Sequence, residues 1–158
     1  MTNTIATIIK LITAEIAPTK GKLIYEGQVM DLHSKKERFQ FAKKAQIIFQ
    51  DPYSSLDDRK TVKSIIEEPL KITRGYKNRE DLDQKVAEMM ETVGLASRYL
   101  LSYPHELDGG RRQRIGIARA LSVDPKFIVC DEPVSALDVS IQAQILNLLQ
   151  DLQDQRGL

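Results

Sequence analysis

Apolar residues occur along this chain at two spacings, in short compact runs and in helical i, i+3, i+4 series, and together they predict an α/β protein rich in helix. Ile5, Ile8, Ile9, Leu11 and Ile12 fit a short helix with one apolar face over Thr4 to Ile12. Pro18 to Gly21 predicts a turn, and Lys22 to Tyr25 a short strand that stops at Gly27. A polar helix is expected around Ser34 to Lys44. Ala45-Gln46-Ile47-Ile48-Phe49 reads as a buried strand, broken by Gln50-Asp51-Pro52, so Gln50 stands at a strand's C-terminal end.

From Thr61 to about Leu101 helical spacing takes over, with Val62, Ile65, Ile66, Leu82, Val86, Met89, Met90 and Val93 recurring at it. Pro69, Gly75 and Gly94 are expected to divide this stretch into two or three pieces, with Asn78 or Asp81 capping the longer one. Pro104 to Gly110 reads as a loop, Gly110 to Leu121 as a helix, and Asp124-Pro125 as a turn. Lys126 to Cys130 is then a second apolar strand, ending at Asp131. Val139 to about Gln155 forms an amphipathic helix, with Ile141, Ile145, Leu148, Leu149 and Leu152 on one face. No repeat, low-complexity tract or linker interrupts the chain, which predicts a single domain over 1–158.

Lysine plus arginine (23) nearly balances aspartate plus glutamate (22), so no overall field draws the protein onto nucleic acid or anionic lipid. The single cysteine, Cys130, lies within an apolar run, which predicts a buried thiol in a reducing compartment and excludes an intramolecular disulfide. No apolar run approaches the roughly 20 residues of a membrane span, and the N-terminus lacks the apolar core of a secretory signal. The expected location is the cytoplasm.

Two segments carry the candidate chemistry. Leu107-Asp108-Gly109-Gly110-Arg111-Arg112-Gln113-Arg114 opens a basic helix with a glycine pair, and Phe127-Ile128-Val129-Cys130-Asp131-Glu132-Pro133 is an apolar strand closed by two carboxylates. Phosphate gripping at a helix start beside carboxylates that can activate water is the chemistry this layout suits. Each piece alone has a plainer reading. Asp131-Glu132 can simply end a strand before Pro133, Gln50 can be a solvated loop glutamine, and Asp138 a cap for the last helix. Arg111, Arg112, Arg114 and Arg119 share a helix with Ile115, Ile117, Ala118 and Leu121, which predicts a solvated basic face rather than a nucleic-acid site. His33 and His105 have no cysteine or carboxylate at ligand spacing, so no metal site is expected of them.

Taken together, Phe49-Gln50-Asp51-Pro52, Leu107 to Arg114, Ile128 to Pro133 and Ser135-Ala136-Leu137-Asp138 resemble the ATP-binding cassette ATPases in order and spacing. Tyr53 to Leu56, Ile66 to Leu70, Tyr103 to Glu106 and Ser140 to Ile145 are similar to the oligopeptide and dipeptide importer branch, and the resemblance covers nearly the whole chain. It implies a partial P-loop NTPase (RecA-like) core over 1–58 and 123–158, with an α-helical signature subdomain over 59–122. It implies ATP and Mg²⁺ as cofactors, with Asp131 holding Mg²⁺ through water, Glu132 polarising the attacking water, and Gln50 sensing both. An amide suits the last role because it both donates and accepts hydrogen bonds. Asp108, Gly109, Gly110 and Arg111, with Ser135 and Asp138, are implied to meet the nucleotide across a dimer of cassettes. The implied partners are a second cassette subunit and transmembrane permease subunits, engaged through the Gln50 loop and the helical subdomain at the inner face of the cell membrane; no nucleic acid is implied. A cassette ATPase of DNA repair fits less well, because this chain has a compact helical segment in place of long coiled-coil or zinc insertions.

The chain departs from the family at Asp108, where serine is usual, and at Arg111, often glutamine. Aspartate keeps the capping function but sets a negative charge toward phosphate, which predicts weakened sandwiching of ATP. No Gly-x-x-x-x-Gly-Lys-Ser/Thr run occurs, since Gly21-Lys22 is followed by Leu23. The resemblance marks the P-loop, an adenine-stacking aromatic and a histidine following the last helix as missing, so the chain reads as a truncated cassette. Slow or absent hydrolysis by the isolated chain is expected, with unpaired sheet edges that favour oligomerisation or strand exchange. A non-catalytic fragment that associates with an intact cassette subunit is the alternative.

Overall fold

The computed structural model describes residues 4–76 and 78–158, without the side chains of residues 4–6 and Arg74. The chain runs α1 (Thr4–Ile12), β1 (Leu23–Tyr25), β2 (Gln28–Met30), α2 (Lys35–Lys44), β3 (Ala45–Ile48), α3 (Val62–Arg74), α4 (Arg79–Thr92), α5 (Gly109–Leu121), β4 (Phe127–Cys130) and α6 (Val139–Arg156). Two short 3₁₀ turns, Ser97–Tyr99 and Pro104–Glu106, link α4 to α5.

The strands form two small sheets. β1 and β2 pair antiparallel through a Glu26-Gly27 turn whose residues both have positive φ, 49° and 78°. Two consecutive left-handed residues give a tight hairpin turn, a geometry glycine adopts at no steric cost. The sequence pattern ends its strand at Gly27 and gives no sign of β2, whose residues are exposed or half-buried. β3 and β4 pair parallel, with Ala45 opposite Phe127 and Ile48 opposite Cys130. The ladder continues past both ends: Lys126 N donates to Lys44 O (2.8 Å) and Asp131 N to Ile48 O (3.0 Å).

Most of the core lies among the helices. Ile66 and Leu70 of α3, Val86 and Met89 of α4, Ile115, Ile117 and Leu121 of α5 and Ile145 of α6 are fully buried together, and Ile48 of β3 joins the same cluster. Side-chain caps start three of the helices: Ser34 accepts from Glu37 N, Thr61 from Ser64 N, and, of the two caps expected for α4, Asn78 rather than Asp81 serves through Glu80 N. An ion-pair network ties α3 to α4. The Glu67 carboxylate, itself buried, meets Lys71 (2.7 Å) and Arg79 (3.0 Å), while Asp83 meets Lys63 (2.7 Å) and Arg79 (3.3 Å).

Three expectations are corrected here, those for Pro69, Cys130 and the α5 arginines, while α1 forms over Thr4–Ile12 as expected. Pro69 does not divide the helical stretch; it lies inside α3, where Ile65, Ile66 and Leu70 are buried on either side of it and hold the helix across the lost backbone donor. α1 buries only Ile9 of its apolar series, with Ile8 and Ile12 exposed; the Ile5 side chain lies outside the described residues. Cys130 is exposed rather than core, because β4 pairs only with β3 among the described residues and its C-terminal end is not covered. Nor do the arginines of α5 form a solvated face. Arg112 is buried and donates to Leu107 O (2.9 Å), Arg114 donates to Val93 O (2.5 Å), and Arg119 to Ser55 O (2.7 Å). A second, smaller cluster gathers Tyr25, Phe41 and Phe127, with ring centroids 5.2 to 6.2 Å apart. No described helix is long and apolar enough to cross a membrane.

Candidate functional site

Because β3 and β4 are parallel neighbours, the segments after their last residues emerge at the same end of the ribbon. That topology brings Gln50 and Glu132 together: Gln50 Nε2 donates to Glu132 Oε2 at 2.7 Å and to Ser135 Oγ at 3.2 Å. Ser135 in turn donates to Glu132 O through both its N–H (3.1 Å) and its hydroxyl (3.2 Å). Glu132 itself has φ +44°, a left-handed conformation costly for a residue with a Cβ, and it is the Ser135 bonds to its carbonyl that close the turn around it. Gln50, Glu132 and Ser135 are on the solvent side of the ribbon end, where their mutual hydrogen bonds are exposed. Asp131 adjoins them in the chain.

The helix start at residues 108–111 is a separate construction. Asp108 Oδ1 accepts from Arg111 N (2.8 Å) as the cap of α5, and Oδ2 holds the Arg111 guanidinium, which also lies 5.0 Å from the Tyr99 ring. Gly110 is required sterically: a Cβ there would stand 2.6 Å from Ile141 Cγ2, the branched and stiff part of an α6 side chain. At Gly109 a Cβ would stand 2.9 Å from Leu137 Cδ2 and 3.4 Å from Tyr53 Oη. The glycine pair therefore lets the backbone of α5 approach the 135–141 segment and the Gln50 loop. Among the described residues no hydrogen bond or ion pair joins Asp108 or Arg111 to Gln50 or Glu132.

Asp138 occupies the N-cap position of α6 but makes no capping hydrogen bond with its side chain. Its plainer reading as a side-chain cap is thus corrected. His105 stacks on Tyr103 at 5.5 Å within the Pro104–Glu106 3₁₀ turn. Among the described residues no cluster of three or more His, Cys, Asp or Glu could enclose a metal.

A family model described as "ABC transporter" matches residues 6–135. This chain belongs to the ABC transporter family. Among curated relatives of this ABC protein, the oligopeptide transport ATP-binding protein OppF of Streptococcus mutans is 54% identical over 139 residues, which are 88% of this chain and 45% of that protein. OppF of Bacillus subtilis is 52% identical over 141 residues, 89% of this chain and 46% of that protein. The chain thus spans under half the length of these relatives. Among solved structures, a dimeric post-hydrolysis state of the ATP-binding cassette MJ0796 bound to ADP and Pi superposes with a TM-score of 0.83 at 28% identity, covering 96% of this chain and 66% of that one. CbiO1 of Clostridium perfringens superposes at 0.81 and 22% identity, covering 96% and 59%, a likeness of fold. The fold of the ABC chain is therefore the α/β cassette of the P-loop NTPases, rich in helix.

Sequence reasoning missed Tyr53, Leu137, Arg112 and Arg119 as parts of this ABC site's frame. A signal for the arginines existed: Arg112 precedes Ile115 by three and Arg119 comes four after it, which sets both on the buried face of α5.

Proposed function

We propose that these residues belong to the ATP-binding subunit of an importer of the oligopeptide type, peripheral at the cytoplasmic face of the membrane and coupling ATP hydrolysis to uptake. The observation that carries this reading is the bond between Gln50 Nε2 and Glu132 Oε2 at 2.7 Å, formed where two parallel strands end together. In this reading Glu132 is the general base that orients and polarises the attacking water, and Gln50 reports on that water through an amide already bonded to the base. Asp131 fits a Mg²⁺ that arrives with phosphate oxygens, since the donor set has too few carboxylates to enclose a bare ion. ATP and Mg²⁺ supply the transferable phosphoryl group and its charge neutralisation.

Residues 1–58 and 123–158 form part of the catalytic core in this reading, and 59–122 the helical subdomain. Asp108, Gly109, Gly110, Arg111, Ser135 and Asp138 face the nucleotide of a second cassette subunit. There Asp108 is unfavourable: a carboxylate about 4 Å from a phosphate charge costs roughly 4 kcal/mol at an effective dielectric near 20. Arg111, paired directly with the Asp108 carboxylate, offsets part of this cost, while Arg112 spends its Nε–H on Leu107 O. The permease contacts lie at the Gln50 loop and at the helical groove of about 570 Å³ lined by Lys63, Asp83, Met90, Leu95 and Leu100.

The test is Mg²⁺–ATP binding and hydrolysis by the chain alone and after joining an N-terminal P-loop segment. Little turnover is expected alone, and in the joined protein Glu132→Gln should lower turnover by about 10²–10⁴-fold. Hydrolysis indifferent to Glu132→Gln would overturn the assignment. Stable association with an intact cassette subunit, without turnover in either form, would favour a non-catalytic role.

A further inference from the structure

The loop between β3 and α3 is anchored at several points along its first eight residues. Gln50 holds Glu132 and Ser135. Further along, the Tyr53 ring lies 4.2 Å beneath the Arg112 guanidinium, and Ser55 O accepts from Arg119 Nη1 at 2.7 Å. Pro52 is fully buried and Leu56 nearly so, so the backbone between them cannot drift freely. Both arginines are carried by α5. Arg112 is only 8% exposed and spends its Nε–H on Leu107 O, immediately before the capping Asp108. Arg119 is removed from solvent far enough that desolvation holds its pKa below the ordinary arginine value, with the Glu68 charge offsetting part of the effect. A desolvated cation that donates to a loop carbonyl is an expensive arrangement, and its effect is to fix that carbonyl relative to the helix.

We propose that Arg112 and Arg119 are positioning residues that fasten the Gln50 loop to α5 and thereby hold the Gln50 amide where it bonds Glu132 and Ser135. The fastening stands on the contacts alone; its consequence for ATP rests on the function proposed above.

The experiment reads amide hydrogen exchange over residues 50–56 together with the NMR signal of the Gln50 side-chain amide. Arg119→Met should raise exchange in that loop about tenfold, the size of one lost charged hydrogen bond, while α3 and α4 keep their protection. The Gln50 side-chain signal should move toward its solvent position, and Arg119→Lys, which keeps a donor, should restore most of both. Tyr53→Leu, at an exposed residue and so safe for folding, should loosen the loop in the same direction by about two- to fivefold. Unchanged loop exchange and an unmoved Gln50 signal in both Arg119→Met and Tyr53→Leu would overturn the proposal. So would a uniform loss of protection across α3 and α4 with the Gln50 signal in place. A loosened loop in a P-loop-joined protein whose hydrolysis ignores Glu132→Gln would uphold the fastening and remove the ATP reading.

Discussion

The helical block and the strand layer of this chain are built to different standards. α3, α4, α5 and α6 share one continuous buried cluster, closed on its outer side by the Glu67 and Asp83 ion pairs. Among the described residues the strands form two-stranded ribbons only, and their cluster buries Ala14, Leu32, Phe41 and Ala45, with the rings of Tyr25 and Phe127 packed on Phe41. Ile24, Val29 and Phe49 stand exposed on or beside them. Stability and candidate chemistry therefore reside in different places: the helices supply a body, and the site hangs from a ribbon with little packing of its own.

Truncation tests that contrast most severely. Ile115→Ala, at a fully buried helix position, should cost about 3–4 kcal/mol in urea unfolding, whereas Val129→Ala on half-buried β4 should cost about 1 kcal/mol or less. Equal costs would mean the ribbon is as tightly packed as the block. The junction between them is probed by glycine. Gly110→Ala drives a methyl onto Ile141 and should destabilise by about 1–3 kcal/mol, while Gly116→Ala on the same helix meets nothing within 4 Å and should stabilise by about 0.5–1 kcal/mol. A neutral Gly110→Ala would show that α6 yields readily to α5.

Glu67→Ala removes the buried carboxylate between α3 and α4 but frees Lys71 and Arg79 to solvent, so a loss of about 1–2 kcal/mol is expected, visible as a lower urea midpoint. The smallest effect concerns the loop joining the two regions. Hydrogen bonds from Arg59, first its side chain and then its backbone, hold the Asp57 carboxyl down to about 2. Its folded value lies below the unfolded one near 3.8, so the pair's contribution is complete above pH 4 and is lost as pH falls through about 2. An NMR titration of Asp57 that reached its midpoint near 4 would refute this ordering.

The helices were legible because helical spacing and caps act locally: Val62, Ile65 and Ile66, or Leu82, Val86 and Met89, announce their buried face without help from distant residues. Gln50 and Glu132 were legible as strand ends. β2 was not, since two exposed residues and one half-buried one leave no apolar run and only the Glu26-Gly27 turn betrays the hairpin. Pro69 misled because a breaker's cost is local while the burial that outweighs it comes from other helices. The tertiary ties of Arg112, Arg119 and Tyr53 depend on which carbonyl or ring lies across the fold, and nothing in the local pattern specifies that.

Gln50 and Glu132 meet across 82 positions of chain, and three of the block's four helices, α3, α4 and α5, lie in the excursion between them. Contacts that close so long an excursion wait for it to collapse first, because its ends gain nothing from each other until then. During refolding, protection should therefore reach the helices before it reaches this pair. On gentle unfolding the pair should part while the excursion is still intact, a hinge that opens at its latch and not along its leaf.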